Sequence, residues 1–458
     1  MTNSSKITME LLAPAGGMEQ LRAAVLFGAD AVYLAADKFG MRARAANFRM
    51  EEIPAAVAFA HAHGVKVHVT CNILMHPDDI DGLPEYFRAL DAAGVDALII
   101  GDLGAFAVAG EVAPRIERHV STQASVANAA AARVWHSLGA KRVVCAREMS
   151  LADIARLRQD APPDLEIEAF VHGAMCMAVS GRCLISSYLT GRSGNKGHCT
   201  QPCRWSYQLG TAGEGAHVVH EPLESIAPTE FLLEEEKRPG EFFPIEQDDR
   251  GTFIMNAKDM NMLAHLRELA DAGVDSIKIE GRNKKAFYVA SVVGAYRRVL
   301  DGELPDGVAD ELLAVSHRPY GTGFYFEEAE QAPAYDGYEQ ETMHMADIVA
   351  CEGGYLYLLC RNRFAEGDEL ETLAPYEPAR TITVRDLHWL NTFGPDVHDE
   401  DAPTTVEEAL ARATAVDWEA SAAANRSCNL YRMRADAPVV PGAFLRKRTF
   451  RRSARHGS

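Results

Sequence analysis

Phe27-Gly28-Ala29-Asp30 runs straight into Ala31-Val32-Tyr33-Leu34, and the fold turns on this stretch. A glycine just past a helix supplies the left-handed cap that redirects the chain, and a short apolar, β-branched run then reads as a strand. The phrase returns as His63-Gly64 before Val65-Lys66-Val67-His68-Val69 and as Ala93-Gly94-Val95-Asp96 before Ala97-Leu98-Ile99-Ile100. It returns again as Leu138-Gly139-Ala140 before Arg142-Val143-Val144-Cys145, and as Ala272-Gly273-Val274-Asp275 before Ser276-Ile277-Lys278-Ile279. Strands apolar on both faces belong to a parallel sheet covered on both sides. The pattern predicts strands at 10–13, 31–35, 65–71, 97–101, 119–122, 142–145, 166–172 and 276–280. Eight βα units fit a TIM-type (β/α)8 barrel with one large insertion. Periodicity alone leaves an open doubly wound sheet as the alternative.

Working outward, the barrel is expected over 1–330, with a cysteine-bearing insertion at about 173–250 between the seventh and eighth strands. From Glu221 to Arg250 that insertion holds ten acids and three bases, which reads as a solvated excursion. After the last barrel helix, His317-Arg318-Pro319-Tyr320-Gly321-Thr322-Gly323 is a turn-rich connector. Alternating runs such as Tyr355-Leu356-Tyr357-Leu358 and Arg380-Thr381-Ile382-Thr383-Val384 then predict a small antiparallel β-barrel over 331–458. It ends in a basic tail with Arg446, Lys447, Arg448, Arg451, Arg452 and Arg455.

The 458 residues carry 46 Lys+Arg against 65 Asp+Glu, a formal charge of −19, with 47% hydrophobic content. This is the composition of a globular enzyme, and it excludes global disorder or a small disulfide scaffold. No run reaches the roughly 18 apolar residues of a membrane span, and the start offers no apolar signal segment. The expectation is a cytoplasmic protein without a membrane partner. Its acidity argues against indiscriminate nucleic-acid binding, so DNA is not expected, although local basic patches still suit RNA. Such patches are Arg42, Arg44 and Arg49 after the second strand, Lys284 and Lys285 after the eighth, and Arg182, Arg192, Lys196 and Arg204 beside the cysteines. Arg446 and Arg448 of the tail join them as candidate RNA contacts.

Nine cysteines in a cytoplasmic chain read as thiols or metal ligands. Cys71, Cys145, Cys351, Cys360 and Cys428 are scattered in or near apolar stretches, as small hydrophobes are. Cys176, Cys183, Cys199 and Cys203 fall within one segment, separated by six, fifteen and three residues. Four thiolates suit zinc or an iron–sulfur cluster, and the wide spacing is easier to reconcile with a cubane. Four buried thiols without metal are the plain alternative. The insertion leaves a barrel strand at its C-terminal end, where such enzymes keep their sites. Asn72, Asp102, Gln123, Arg147, Glu148, His172, Glu280 and Arg282 end or follow strands at the same face. Lys278, Glu280 and Arg282 share one side of the last strand by period two. Lys278 and Glu280 are expected to pair if that side is the lumen, with Arg282 left to bind an anion.

The block Glu168–Ser186, including Val171-His172-Gly173-Ala174-Met175-Cys176, resembles the signature of the collagenase-like peptidase family of unknown catalytic type, the U-thirty-two family. Glu10-Leu11-Leu12-Ala13-Pro14-Ala15-Gly16, Gly28–Tyr33, Ile254–Asp259, Lys278–Arg282 and Ser316–Tyr320 continue the likeness in order, over roughly residues 8–330. Length and blocks are most similar to the branch that hydroxylates tRNA. The resemblance implies formation of 5-hydroxyuridine at the wobble position, with prephenate as co-substrate and tRNA as partner. Relatives hydroxylate ribosomal RNA or ubiquinone precursors. It also implies a 4Fe–4S cluster on Cys176, Cys183, Cys199 and Cys203. Glu280, Arg282 and His172 are the candidate catalytic groups. The peptidase label stands second. The sequence has no His-Glu-x-x-His motif and no Gly-x-Ser-x-Gly elbow, while a cysteine nucleophile with His172 or His198 as base would serve hydrolysis.

Overall fold

The computed structural model describes residues 5–41, 47–176, 185–190, 192–204, five short strands between 211 and 253, and residues 257–327, 338–395, 397 and 402–449. Its larger sheet is a ring. Strands β1 (Glu10–Pro14), β2 (Ala31–Leu34), β3 (Lys66–Cys71), β4 (Ala97–Ile100), β5 (Glu117–Val120), β6 (Arg142–Val144), β7 (Glu166–Ala174) and β8 (Ser276–Ile279) pair in parallel, each with the next. Strand β8 pairs with both β7 and β1, which closes the barrel and settles the open-sheet alternative. Only β5 moves noticeably from its expected place. Thr122–Ala124 turn as a 3-10 helix and end at Ser125 in the left-handed region (φ 55°), so pairing stops at Val120.

The recurring glycine–aspartate phrase now has a mechanical meaning. Gly28, Gly64, Gly94, Gly139 and Gly273 all have positive φ, between 74° and 98°, as the caps require. The aspartate two residues later reaches sideways to the preceding strand of the ring. Asp30 accepts the Leu11 amide (2.8 Å), Asp96 the Val67 amide (2.7 Å) and Asp275 the Ile167 amide (2.8 Å). These three carboxylates therefore stitch β1, β3 and β7 at the face where the strands begin.

Outward side chains such as Leu11, Val32, Val67, Leu98, Val143, Ile167 and Ile277 are buried beneath the helices. Helices α1 (Met18–Leu26), α2 (Ile53–Ala62), α3 (Leu83–Ala92), α4 (Leu103–Val112), α5 (Ala129–Ser137), α6 (Leu151–Asp160), α7 (Leu266–Asp271) and α8 (Ala286–Leu300) form the outer ring. The lumen is mixed. Leu12, Ala31, Tyr33 and Ile99 form a small apolar cluster. Beside it, buried Arg142 meets Glu10 (2.5 Å), Glu166 (2.7 Å) and Glu168 (3.0 Å), and Lys278 meets Glu168 (2.9 Å). Lys278 thus pairs with Glu168 and not, as expected, with Glu280, because β7 lies directly beside β8.

The chain between β7 and β8 includes a three-stranded antiparallel sheet of Phe231–Glu234, Phe242–Asp248 and Gly251–Phe253. Beyond the barrel, β9 (Thr342–Glu352), β10 (Tyr355–Cys360), β11 (Glu369–Leu373), β12 (Arg380–Thr383), β13 (His388–Leu390), β14 (Trp418–Ala420), β15 (Leu430–Arg434) and β16 (Phe444–Arg448) form one antiparallel sheet. Its order is β12-β11-β16-β9-β10-β15-β13-β14. The antiparallel character is as expected. Among the described residues its pairing ends at β12 on one side and β14 on the other.

This sheet rests on α1 and α8. Phe444 packs against Phe27 and Phe287, and His344 stacks on Phe287 at 4.9 Å. Arg446, expected in a basic tail, is instead 1% exposed within β16. It is paired with Glu311 of the barrel and with Glu371 of β11 (3.0 Å). Arg448 also pairs with Glu371 (2.7 Å), while Arg451, Arg452 and Arg455 lie outside the described residues. Of the scattered cysteines, Cys71, Cys145 and Cys360 are buried and Cys351 is half-buried. Cys428 is exposed, at a backbone turn with φ 61°.

Candidate active site at the barrel mouth

Strand β7 outruns its neighbours, and its end makes the site. Residues His172, Gly173 and Ala174 pair antiparallel with Asn261, Met260 and Asp259, and that short strand pairs in turn with Tyr320 and Gly321. Blocks far apart in sequence (168–176, 257–261, 276–282 and 316–321) thereby meet at the C-terminal face. Gly173 permits the approach. It has φ 103°, and a Cβ there would sit 2.7 Å from the Glu280 carbonyl oxygen.

His172 is 1% exposed, ringed by Tyr288, Tyr296 and Tyr320 with centroids 5.4–6.1 Å away. Its Nδ1 lies 3.4 Å from the Tyr296 hydroxyl, which donates to the Val171 carbonyl (2.8 Å) and accepts from the Met262 amide (3.1 Å). Burial, with the nearby His317 and Lys284 adding to it, pushes the imidazole down to about 3. A general base works best with a pKa near the operating pH, so a depressed imidazole of this kind is a weak base; His172 packs among the tyrosines at the end of β7.

Glu280 and Arg147 form an ion pair at 2.7 Å, with Arg147 lying over the Phe170 ring and also donating to the Ala174 carbonyl (3.0 Å). Arg282 is 5% exposed, its backbone packed against Gly16. Asp102 caps α4 by accepting the Ala105 amide, the structural role that any helix-start aspartate suggests. Asn72 donates to Gln123 (3.0 Å) and Ser121 (3.4 Å) and accepts the Met41 amide.

Three of the four clustered cysteines are described. Cys176 is exposed just past β7, and Cys199 and Cys203 are half-buried; Cys183 and Arg182 lie outside the described residues. The segment carrying Cys199 is built around buried Ser186, whose hydroxyl donates to the Arg192 carbonyl (2.8 Å) and accepts the Thr200 amide (3.1 Å). Two ties moor the segment over the mouth. The Leu74 amide donates to the Asn195 carbonyl (2.9 Å), and Lys196 pairs with Asp79 (2.9 Å). Lys196, expected to contact RNA, is thus engaged within the protein. Arg192 is exposed, and the side chain of Arg204 is outside the described residues.

The donors suit an iron–sulfur group in kind: they are thiols at a barrel mouth, and Cys199 Sγ accepts the Gln201 amide at 3.4 Å. Among the described residues alone, no three His, Cys, Asp or Glu side chains converge to hold an ion.

Asp259, His317 and Arg318 were not singled out as site residues, although their blocks stood out in the sequence, and Lys284 was named only as part of a basic patch. Asp259 accepts the Arg318 amide (3.2 Å), His317 stacks on Tyr320 at 4.3 Å, and Lys284 lies over Tyr288 and Tyr338. Nothing local in sequence joins Asp259 to Tyr320; only the extra strand does.

Comparison with known proteins places these features in a family. The pattern of "Peptidase family U32" matches residues 16–334. "tRNA hydroxylation protein P1" of Bacillus subtilis is 37% identical over 395 residues, covering 82% of this chain and 86% of that protein. "tRNA hydroxylation protein P" of Escherichia coli is 35% identical over 393 residues, covering 80% and 86%. "23S rRNA 5-hydroxycytidine C2501 synthase" of Escherichia coli is 32% identical over 428 residues, covering 87% of this chain and 58% of that protein. The chain belongs to peptidase family U32.

Proposed function

We propose that the protein is an RNA-modifying enzyme that hydroxylates the wobble uridine of tRNA to 5-hydroxyuridine. The observation that carries this reading is the cysteine segment moored over the ends of β3 and β7, at the face where barrel enzymes do their chemistry. The named activities of the relatives, tRNA hydroxylation and rRNA 5-hydroxycytidine synthesis, agree in reaction type. In this reading Cys176, Cys183, Cys199 and Cys203 hold a 4Fe–4S cluster, which when bound supplies one-electron chemistry. Prephenate is the co-substrate, and the cationic side chains Arg147, Arg282, Lys284 and Arg318 around the mouth suit its two carboxylates. The chain's own residues position the reacting groups: the Arg147–Glu280 pair fixes the lip between β6 and β8, and the tyrosine ring about His172 excludes water.

Hydrolysis of peptides is the weaker reading. Among the described residues His172 contacts tyrosines and no serine or cysteine nucleophile, and burial makes it a weak base. The test is mass spectrometry of tRNA nucleosides from a deletion strain. The expected result is loss of 5-hydroxyuridine and its derivatives, restored by the wild-type gene and not by Cys199→Ala. Protein purified without oxygen should carry iron and sulfide, reduced in the same variant. Zinc alone, or an unchanged nucleoside profile with cysteine-dependent cleavage of gelatin, overturns the reading.

A further inference from the structure

We propose that a cavity of about 160 Å³ beside the cysteine segment receives the single pyrimidine base on which the enzyme acts. This deepens the RNA-modification reading and rests on it. The cavity lies over the ends of β3, β4 and β5, where Asn72, Asp102, Gln123 and Asn195 supply polar groups and Met41, Ile73 and Leu74 supply apolar wall. It is smaller than the roughly 300 Å³ at which drug-sized sites begin, so it suits one six-membered ring and not a whole nucleotide.

Its polar groups are oriented in advance. Asn72 is held by the Met41 amide and directs its own NH2 at the Gln123 oxygen, and the Ser121 hydroxyl donates to the same oxygen. With that oxygen engaged, Gln123 presents its NH2 as two donors on the cavity wall. One Asp102 carboxylate oxygen caps α4, which leaves the other as an acceptor. Donors beside an acceptor match the edge of a pyrimidine, whose carbonyl oxygens accept and whose ring N–H or amino group donates. Among the described residues the lining has one carboxylate, Asp102, which disfavours an anionic occupant. An extruded base is read in this way by enzymes that act on it, through hydrogen bonds to its edge and apolar contacts to its faces. Asn195 belongs to the segment that carries Cys199, so a base seated here is adjacent to the cysteine-bearing chain.

The experiment compares two anticodon stem-loop RNAs, one with uridine and one with an abasic site at the wobble position, by fluorescence anisotropy. Wild-type protein should bind the uridine RNA roughly tenfold more tightly, the scale of one well-made base contact. Gln123→Leu and, independently, Asn195→Ala should bring that ratio close to one while leaving affinity for the abasic RNA unchanged, which also shows that the variants fold. Equal binding of both RNAs by wild type, or a ratio that survives both substitutions, overturns the proposal. The readout needs no turnover. A base preference that depends on Gln123, found together with an unchanged nucleoside profile in the deletion strain, would sink the hydroxylase reading and leave the pocket standing.

Discussion

Arg142 stands 3% exposed among three carboxylates, and its consequences are electrostatic before they are functional. Glu168 is fully buried; desolvation alone would raise its pKa, but Lys278 and Arg142 outweigh that and hold it below the usual carboxylate range. Removing one partner of such a group leaves an uncompensated buried charge. Arg142→Met should therefore cost about 3–5 kcal/mol, seen as a lower urea midpoint at neutral pH. A shift under about 1 kcal/mol would mean that water screens the lumen.

The buried histidines add a pH dependence of definite sign. His172 is pushed down to about 3, and burial also lowers His68 and His119. A folded pKa below the unfolded value near 6.5 means that the unfolded state takes up protons first. For His172 stability is then full above pH 6.5 and falls as pH drops toward 3, by about 1.4 kcal/mol per pH unit, and His68 and His119 add declines of the same sign. His172→Gln should make that decline shallower by the His172 share, measured by urea unfolding at pH 7, 6 and 5; an unaltered slope would show that His172 takes up its proton equally in the folded and unfolded states. None of these couplings was legible in sequence, because Arg142 and Glu10 are 132 positions apart.

Among the elements, what was legible was whatever the chain does locally. Each glycine cap and its following strand lie within a few residues, so the eight strands could be read from spacing. The sideways reach of Asp30, Asp96 and Asp275 could not, since the partner amide belongs to another strand. The phrase was visible; its purpose needed the ring. Replacing Asp275 by Ala should leave the fully buried Ile167 amide without its acceptor, costing about 1–3 kcal/mol. Asp275 also meets Arg158 at 3.4 Å, so Arg158→Met serves as the control and should cost less than half as much in thermal or urea unfolding. Equal losses would assign the effect to the ion pair. The site followed the same rule. The residues that end strands were found, whereas the company of His172 depends on Asp259–Asn261 inserting between β7 and Tyr320.

For the whole molecule, the question is how a chain of net charge −19 would hold a polyanion. Arg446 does not take part. It is buried between Glu311 and Glu371 and joins the C-terminal sheet to the barrel. Removing everything from residue 446 onward would therefore confuse unfolding with lost binding. The cut belongs after Thr449, which takes away Arg451, Arg452 and Arg455 and spares β16. Phosphate contacts release counterions, so each lost contact lowers the slope of log affinity against log salt by about 0.7–0.9. If all three arginines touch tRNA, removal of 450–458 should flatten the slope by about two to three, with weaker binding at low salt and unchanged thermal stability. Arg446→Met should do the reverse, lowering stability while leaving the slope alone. A truncated protein with the wild-type slope would exclude these three arginines and move the anchoring to the exposed cations of the mouth, Arg192 first among them.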